Sequence, residues 1–394
     1  MMRVLTLSTL YPDAARPRFG TFVAAQTRAL AACADTAVAV VAPVGIPPWP
    51  LRRHPRYAAL AALPTEEVRD GLAVARPRFT VWPGSAGGGN AAALLRAATP
   101  VVDRLRERFA FDVIHASFFY PDGPAAIALG ERYGVPVSIK ARGADVHHWG
   151  HVAATRAQVL SAARAADGLL AVSAALRDDM VALGMPGDRI AIHRTGIDAM
   201  RFAPADDRAG VRRMLGIDGP FVLSIGALIP RKGHAMVVDA IARLPGVTLG
   251  IAGEGPERGA LLRRIARARL SPRVRLLGGV GHEDLPRWLA AADVMALASQ
   301  SEGLANAWVE ALACGTPIVI TDAGGARELL TDPLAGRIVP RDPGAIAAAI
   351  GELLAAPPPR MAVRQVVADY SWATNGATLR AHLAGLIRSH RQGG

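Results

Sequence analysis

The sequence predicts an α/β chain built as two doubly wound domains facing a central cleft. Three observations predict it. Short Val-, Ile-, Leu- and Ala-rich runs of strand length alternate with Ala-rich stretches of helical length, and glycines and prolines punctuate the changes. The alternation breaks at Thr195 to Gly219, which carries Pro204, Gly210, Gly216, Gly219 and several charges, and then resumes. Strands separated by helices of this length form parallel sheets with right-handed crossovers, so two such blocks make two domains. The expected division is residues 1–200, residues 201–370 and a closing helix, 371–394, packed back on the first domain. A chain of 394 residues can bury both cores.

In chain order, Arg3 to Ser8 reads as the first strand and Thr9 to Gly20 as a loop with Pro12, Pro17 and Gly20. Thr21 caps a helix to about Ala34, and Ala37 to Ala42 is the second strand. Pro43 to Pro64 reads as irregular, broken by Pro43, Pro47, Pro48 and Pro50. Trp49, Leu51, Arg52, Arg53, Arg56 and Tyr57 make it both basic and apolar, and loops of this length are usually functional. Leu72 to Arg78 is a third strand. Gly87-Gly88-Gly89 leads into a helix from Ala91, Val113 to Ala116 is a fourth strand, a helix follows Gly123, and Val137 to Ala141 is a fifth strand. Alternation continues to Ile190–His193, and Thr195 to Gly219 then reads as the interdomain connection. The second block runs strand Phe221–Ile225, helix His234–Ala242, strand Val247–Ala252, helix Pro256–Leu270, strand Val274–Leu277, helix Glu283–Ala292, strand Val294–Ala298, a helix, and strand Ile318–Thr321. Beyond Pro357–Pro359 an amphipathic helix spans about Ser371 to Ser389.

Composition narrows the function. The chain is 51 % hydrophobic but 5 % aromatic, so its cores are Ala, Val and Leu. A net charge of +12 favours phosphates or acidic headgroups. No zinc-finger or aromatic–basic RNA-binding pattern appears, which argues against nucleic acid. Cys33 and Cys314 sit in Ala-rich helical contexts and read as small core residues of a reducing compartment. The apolar run at the start is too short for a signal peptide, and no stretch reaches the length of a bilayer span. The expected location is cytoplasmic, with membrane contact at most peripheral. The basic, apolar Pro43–Pro64 segment would dock on acidic membrane holding a lipid-linked acceptor.

The stretch with most chemical content is Ser301 to Pro317. It follows the apolar run Val294–Ala298, turns at Gly303, and becomes Ala- and Leu-rich until Gly315, so it reads as strand, glycine turn, helix. Glu302 then lies near a strand's carboxyl end and Glu310 on the following helix, at the crevice where open α/β sheets bind ligands. Free N–H groups at the helix start suit phosphate, while carboxylates accept hydrogen bonds from sugar hydroxyls. A nucleotide diphosphate-sugar offers both. Arg231 and Lys232, after Gly226 and the first strand of the second block, form a potential diphosphate clamp at a helix entrance. Gly253-Glu254-Gly255 partly matches a dinucleotide fingerprint but serves equally as a structural turn. Gly20 could bring backbone N–H groups to a phosphate or simply close a turn. His115, Tyr120, Asp122 and Gly123, and then Lys140, Arg142, Gly143 and Asp145, form polar clusters at successive strand ends of the first block. His147 and His151 have a metal ligand's helical spacing but lack a supporting motif, and read as a surface or interface cluster.

In this order the segments Glu302-Gly303, Glu310-Ala311, Cys314-Gly315-Thr316-Pro317, Gly324-Gly325 and Glu328 resemble a family 4 glycosyltransferase of the GT-B fold. Val172-Ser173, Gly196-Ile197-Asp198 with Phe202, Gly226 with Arg231-Lys232-Gly233, Gly253-Glu254-Gly255-Pro256 and Ala291-Ala292-Asp293 extend the resemblance from the Tyr11–Gly20 loop to Trp372. Pro17, Phe19-Gly20-Thr21-Phe22 and Pro121-Asp122-Gly123 are similar to the branch acting in exopolysaccharide and teichuronic-acid-type synthesis. The resemblance implies two Rossmann-like domains and retaining, front-face transfer from a UDP- or GDP-sugar, with neither metal nor bound cofactor. The acceptor would be lipid-linked or a saccharide. Glu302 would contact the donor hexose, Glu310 the ribose, and Lys232 the diphosphate, with Gly20 near it. Gly226, Gly253, Glu254, Gly303 and Leu304 would line the donor site. Two departures stand out. Ala227 occupies a position that is Arg in many members, leaving Arg231 to supply that charge. Arg142-Gly143 replaces a frequent His-Gly, leaving Arg142 to bind sugar hydroxyls or phosphate. Two rivals follow: a nucleotide-sugar 2-epimerase of similar fold, and a non-catalytic partner in a polysaccharide assembly complex.

Overall fold

The computed structural model describes residues 1–393. The chain divides into two compact units. One is Met1–Gly196 joined by the segment from Trp372 onward, and the other is Ile197–Ser371.

Strands of the first unit are β1 (Met2–Leu7), β2 (Thr36–Val41), β3 (Val44–Ile46), β4 (Glu66–Arg69), β5 (Leu72–Ala75), β6 (Arg78–Thr80), β7 (Val113–Ala116), β8 (Val137–Ala141), β9 (Gly168–Ala171) and β10 (Ile190–Ile192). Eight form one sheet, ordered β10-β9-β8-β7-β1-β2-β5-β4, while β3 and β6 make a separate parallel pair. The middle strands β7, β8 and β9 are buried at every residue, as expected for a parallel sheet covered on both faces. The order reverses between β1 and β7, which defines a switch point where both carboxyl ends open into loops.

Two expectations are corrected in this unit. Leu72 to Arg78 is not one strand. Pro77 has no N–H to continue the ladder, so the chain leaves the large sheet after Ala75 and Arg78–Thr80 pairs with β3 instead. The strand before it, β4, escaped the sequence reading. It pairs antiparallel with β5 through Asp70-Gly71, both at positive φ, 50° and 78°, as a two-residue hairpin turn requires. Pro43–Pro64 is likewise not irregular. It contains β3, a 3₁₀ turn at Leu51–Arg53 and a helix, Pro55–Ala61, with proline at its first position, where no N–H is needed. Val44, Leu60 and Leu63 bury against one another beneath it.

The carboxyl-terminal helix, Trp372–Gly393, returns to the first unit as expected. Leu379, Leu383 and Ile387 pack with Val4, Leu30, Val113 and Leu170. Gly376 approaches the helix Thr21–Ala31 so closely that a Cβ would lie 2.4 Å from the Ala29 carbonyl oxygen. Asn375 Nδ2 donates to the Arg194 carbonyl at 2.6 Å, tying the helix to the last stretch of the amino-terminal segment.

The second unit holds β11 (Phe221–Ile225), β12 (Thr248–Ala252), β13 (Val274–Gly278), β14 (Val294–Leu297), β15 (Ile318–Thr321) and β16 (Gly336–Val339). All are parallel, in the order β13-β12-β11-β14-β15-β16, the doubly wound order with its reversal between β11 and β14. Thr195–Gly219 is more than a connection. It contributes a helix, Arg208–Met214, to this unit. Arg208 and Arg212 reach Asp293 at 2.5 and 3.2 Å, and Asp293 also accepts the Phe221 N–H at 2.8 Å, so three segments are tied together at the amino end of β11. Among the described residues no helix is long and apolar enough to cross a membrane.

Candidate active site

At the β11/β14 switch point two loops meet. The first, Gly226–Gly233, leaves β11 and ends in a 3₁₀ turn, Pro230–Lys232, before the helix His234–Ala242. The second, Ala298–Ala305, leaves β14 before the helix Asn306–Ala313. The glycine turn expected here is present, and the helix stops at Cys314, with Gly315 at φ +70°. Glu302 lies in the second loop, 8 % exposed. Its Oε1 accepts from Lys232 Nζ at 2.5 Å and from Ser299 Oγ at 2.6 Å, while Oε2 lies 3.6 Å from Arg231. Arg231 also donates to the Ser301 carbonyl. The candidate carboxylate and both candidate cations therefore share one cluster, with Arg231 next to Glu302 although Ala227 is neutral.

Close backbone packing fixes that cluster. Gln300 N–H donates to the Arg231 carbonyl at 2.8 Å, bridging the loops directly. Gly233, at φ +69°, would place a Cβ 2.2 Å from the Ala298 carbonyl oxygen. Gly324, at φ +52°, would place one 2.2 Å from the Glu302 carbonyl oxygen, and Gly325 N–H donates to the Gly303 carbonyl at 2.8 Å. Only glycine fits such approaches. Arg341 Nε donates to the Ala298 carbonyl at 2.9 Å and its Nη2 to the Pro230 carbonyl at 3.0 Å, so one guanidinium spans both loops. Ser299 and Arg341 escaped the sequence reading. The polar run after the apolar strand signalled the former, but nothing near Arg341 in sequence signalled the latter.

Gly253 and Gly255 act as turn residues. Their Cβ atoms would sit 1.8 Å from the Gly226 carbonyl oxygen and 2.4 Å from that of Leu228, while Leu228 N–H donates to the Glu254 carbonyl at 2.8 Å. They hold the β12 loop against the Gly226 loop. Glu310, in the helix Asn306–Ala313, lies 3.4 Å from His282 Nε2, and the His282 ring stacks edge-on with Phe202 at 5.3 Å. Ser224 Oγ is 3.0 Å from His234 Nδ1, and burial lowers the His234 pKa to about 4, leaving a neutral ring beneath the loop.

In the first unit, Gly20 sits at φ +67° at the amino end of the helix Thr21–Ala31, and a Cβ there would meet the Leu10 carbonyl oxygen at 2.2 Å. At the β1/β7 switch point, Asp122 Oδ2 accepts the Thr9 N–H at 2.9 Å, anchoring the loop that leads to Gly20. Arg142 follows β8, half-buried, with its guanidinium 4.8 Å from the Phe22 ring centre. Its Nε donates to the Ser117 carbonyl at 2.8 Å and its Nη2 to Gln26 Oε1 at 3.2 Å. Gln26 Oε1 also accepts from Lys140 Nζ at 2.9 Å, and Lys140 contacts His193 Nδ1 at 2.7 Å. Lys140 lies inside β8 and is fully buried, which pushes its pKa well below the ordinary lysine value; it supports Arg142 through Gln26 rather than facing solvent. Gln26 and His193 escaped the sequence reading because nothing local distinguishes them from surface polar residues. His147 pairs with Asp179 at 2.9 Å. Among the described residues no three His, Cys, Asp or Glu side chains gather as a metal site.

Burial, with the Asp145 carboxyl nearby, pushes the Asp122 pKa up to about 7 from 3.8, and its Oδ1 is buried without a partner. A raised carboxyl keeps its proton in the folded state where the unfolded chain has released it. Stability therefore falls as pH rises from the unfolded value through the folded one. Asp122→Asn should remove that slope. Its melting temperature relative to wild type should climb between pH 5 and pH 8, whereas a constant difference would show Asp122 already ionised.

Residues 20–201 match the family model described as Glycosyltransferase Family 4, and residues 219–356 match Glycosyl transferases group 1. A glycogen synthase of Mycobacterium tuberculosis is 31 % identical over 411 residues, covering 97 % of this chain and 95 % of that protein. A putative teichuronic acid biosynthesis glycosyltransferase, TuaC of Bacillus subtilis, is 28 % identical over 89 % of this chain and 88 % of that protein. A GDP-mannose-dependent alpha-(1-6)-phosphatidylinositol monomannoside mannosyltransferase of Mycolicibacterium smegmatis is 36 % identical over 50 % of this chain, and the match spans 56 % of that protein. The fold is that of sucrose-phosphate synthase from Thermosynechococcus elongatus, at TM-score 0.77 and 20 % identity over 100 % of this chain and 99 % of that one. Two doubly wound units, with a charged loop cluster at the second unit's switch point, define a GT-B glycosyltransferase. The chain belongs to glycosyltransferase family 4.

Proposed function

We propose that this glycosyltransferase moves a hexose from a UDP- or GDP-sugar to a lipid-linked or saccharide acceptor, with retention and without a metal ion, in cell-surface polysaccharide synthesis. The second unit takes the donor and the first the acceptor. One observation carries the reading: Lys232, Ser299 and Arg231 converge on Glu302 where β11 and β14 part. Two cations beside a carboxylate suit a ligand with an anionic centre and a hydroxyl-rich flank. When the diphosphate arrives, Lys232 and Arg231 stabilise the charge that builds on it as the glycosidic bond breaks, an electrostatic role needing no nucleophile. Glu302 accepts from hexose hydroxyls and Glu310 from the ribose. Gly226, Gly253, Glu254, Gly303 and Leu304 bring backbone close to the donor, and Arg142 is the first unit's candidate for binding sugar hydroxyls or phosphate. The lipid-linked acceptor is supported by the name of the mannosyltransferase relative, and the polysaccharide role by that of TuaC. Such an acceptor would bring the enzyme to the acidic inner face of a membrane.

The test starts with a thermal-shift screen of nucleotide diphosphates and their sugars, since a ligand that binds the folded state raises the melting temperature. Transfer with the selected donor is then followed by NMR of the anomeric proton, with and without EDTA. An inverted product or loss of activity in EDTA would overturn retention or metal independence. Epimerised free sugar nucleotide would select the 2-epimerase, and no turnover with any donor that binds would select a non-catalytic partner.

A further inference from the structure

We infer that the loops leaving the β3–β6 pair form an anionic-bilayer docking face, with Trp49 and Trp82 inserting beneath the headgroups and Arg52 and Arg53 binding lipid phosphates. This rests on the reading of a membrane-borne acceptor and names the surface that would meet it.

Topology brings the two tryptophans to one edge. β3 and β6 run parallel with Ile46 opposite Thr80, and Val81 N–H continues the pairing to the Ile46 carbonyl at 3.1 Å. Both chains therefore leave the ribbon at the same end. Trp49 follows Ile46 by three residues and Trp82 follows Thr80 by two. Trp49 is 63 % exposed, Trp82 64 % and Leu51 49 %, which is unusual for side chains of this size in a chain whose cores are small aliphatics. An indole is apolar with one polar edge and settles at the boundary between headgroups and acyl chains.

Charge selects the occupant. Residues 43–64 and 71–102 contain no Asp or Glu. Arg52 and Arg53 are exposed in the 3₁₀ turn Leu51–Arg53, and the Arg53 guanidinium lies 5.9 Å from the Trp49 ring centre. Arg76 and Arg78, by contrast, are committed inward, the first to Glu67 and the Pro12 carbonyl, the second to the Arg76 and Leu63 carbonyls. The charge these segments turn outward is thus positive, and Arg53 adjoins the exposed Trp49 indole, the combination that favours acidic lipid over a neutral sugar chain.

The full chain is tested by flotation with vesicles of phosphatidylcholine alone or mixed with phosphatidylglycerol. Wild type should float with the mixed vesicles and lose that binding in high salt. Each arginine near an anionic surface contributes about fivefold in partition, so Arg52→Gln/Arg53→Gln should bind about 25-fold more weakly. Trp49→Ala/Trp82→Ala should bind more weakly again and lose the fluorescence blue shift seen on adding vesicles. All four positions are exposed, so melting temperature and donor-induced thermal shift should stay at wild-type values. Equal binding to neutral vesicles, or wild-type flotation by both double variants, overturns the inference. So does binding to a soluble neutral glucan that depends on the tryptophans but not the arginines, which would make the pair a sugar platform. Vesicle binding without transfer from any donor would leave the docking face standing and remove the proposed activity instead. Full activity on a membrane acceptor without docking would do the reverse.

Discussion

Glu302→Ala is expected to lower turnover about a thousandfold, the upper range for deleting one charge-stabilising group from a preorganised site. The carboxylate is nearly buried and takes hydrogen bonds from Lys232 and Ser299, with Arg231 at 3.6 Å. Truncation removes the oxygens proposed to accept from the hexose and leaves the lysine without its anionic partner. That freed charge faces the position proposed for the diphosphate. The variant should therefore bind a nucleoside diphosphate as tightly as wild type, or more tightly, while transfer is lost. Glu302→Gln keeps an acceptor oxygen and should fall between the two. Calorimetry with the selected nucleotide and single-turnover transfer separate the effects. Wild-type turnover in Glu302→Ala would show an idle carboxylate, and a matching collapse in nucleotide affinity would show that the residue only holds the loop.

Gly324→Ala is expected to cost about a hundredfold in transfer without touching any ligand. At φ +52° its Cβ would lie 2.2 Å from the Glu302 carbonyl oxygen and 2.5 Å from that of Gly303. Backbone cannot yield as a long side chain can, so the Glu302 turn must shift by an ångström or so. A displacement of that size in a positioned group costs on the order of a hundredfold in rate. Gly134→Ala is the control, with a similarly positive φ of +61° but nothing within 4 Å of its added carbon. It should lose some stability and keep its activity. If both variants lose activity equally, the crowding at Glu302 is not what matters.

What could be read in advance divides along physical lines. Strands β11, β12, β14 and β15 were legible as buried apolar runs and β13 as a partly buried one, whereas β16 escaped because Gly336–Val339 is short and mostly half-exposed. Ala298 to Gly315 was legible because its turn and helix signals agree. The β4–β5 hairpin was missed although Asp70-Gly71 is a strong turn signal. Glu66-Glu67-Val68-Arg69 is polar, as an edge strand often is, and carries no apolar pattern. Pro77 could be seen to interrupt a strand, but which partner the next three residues would find is a long-range question. The same holds for Arg341, which joins two loops far from it in sequence, and for Lys140, whose neighbours in Val137–Ala141 predict a strand but not which face a cation must occupy. Gly253 and Gly255 could be assigned to a turn or a fingerprint, and only the carbonyls against them identify the turn.

The helix that closes the chain has a consequence for biosynthesis. Val4, Leu30 and Val113 are synthesised well before the side chains that cover them, Leu379, Leu383 and Ile387. The nascent amino-terminal sheet must wait, one flank uncovered, while some 180 intervening residues are translated, and the Ile197–Ser371 unit has all its own strands before that wait ends. Final consolidation should thus run from the later-made unit to the earlier-made one, and a chain stopped before Trp372 should expose an aggregation-prone flank even though every β-strand has been synthesised.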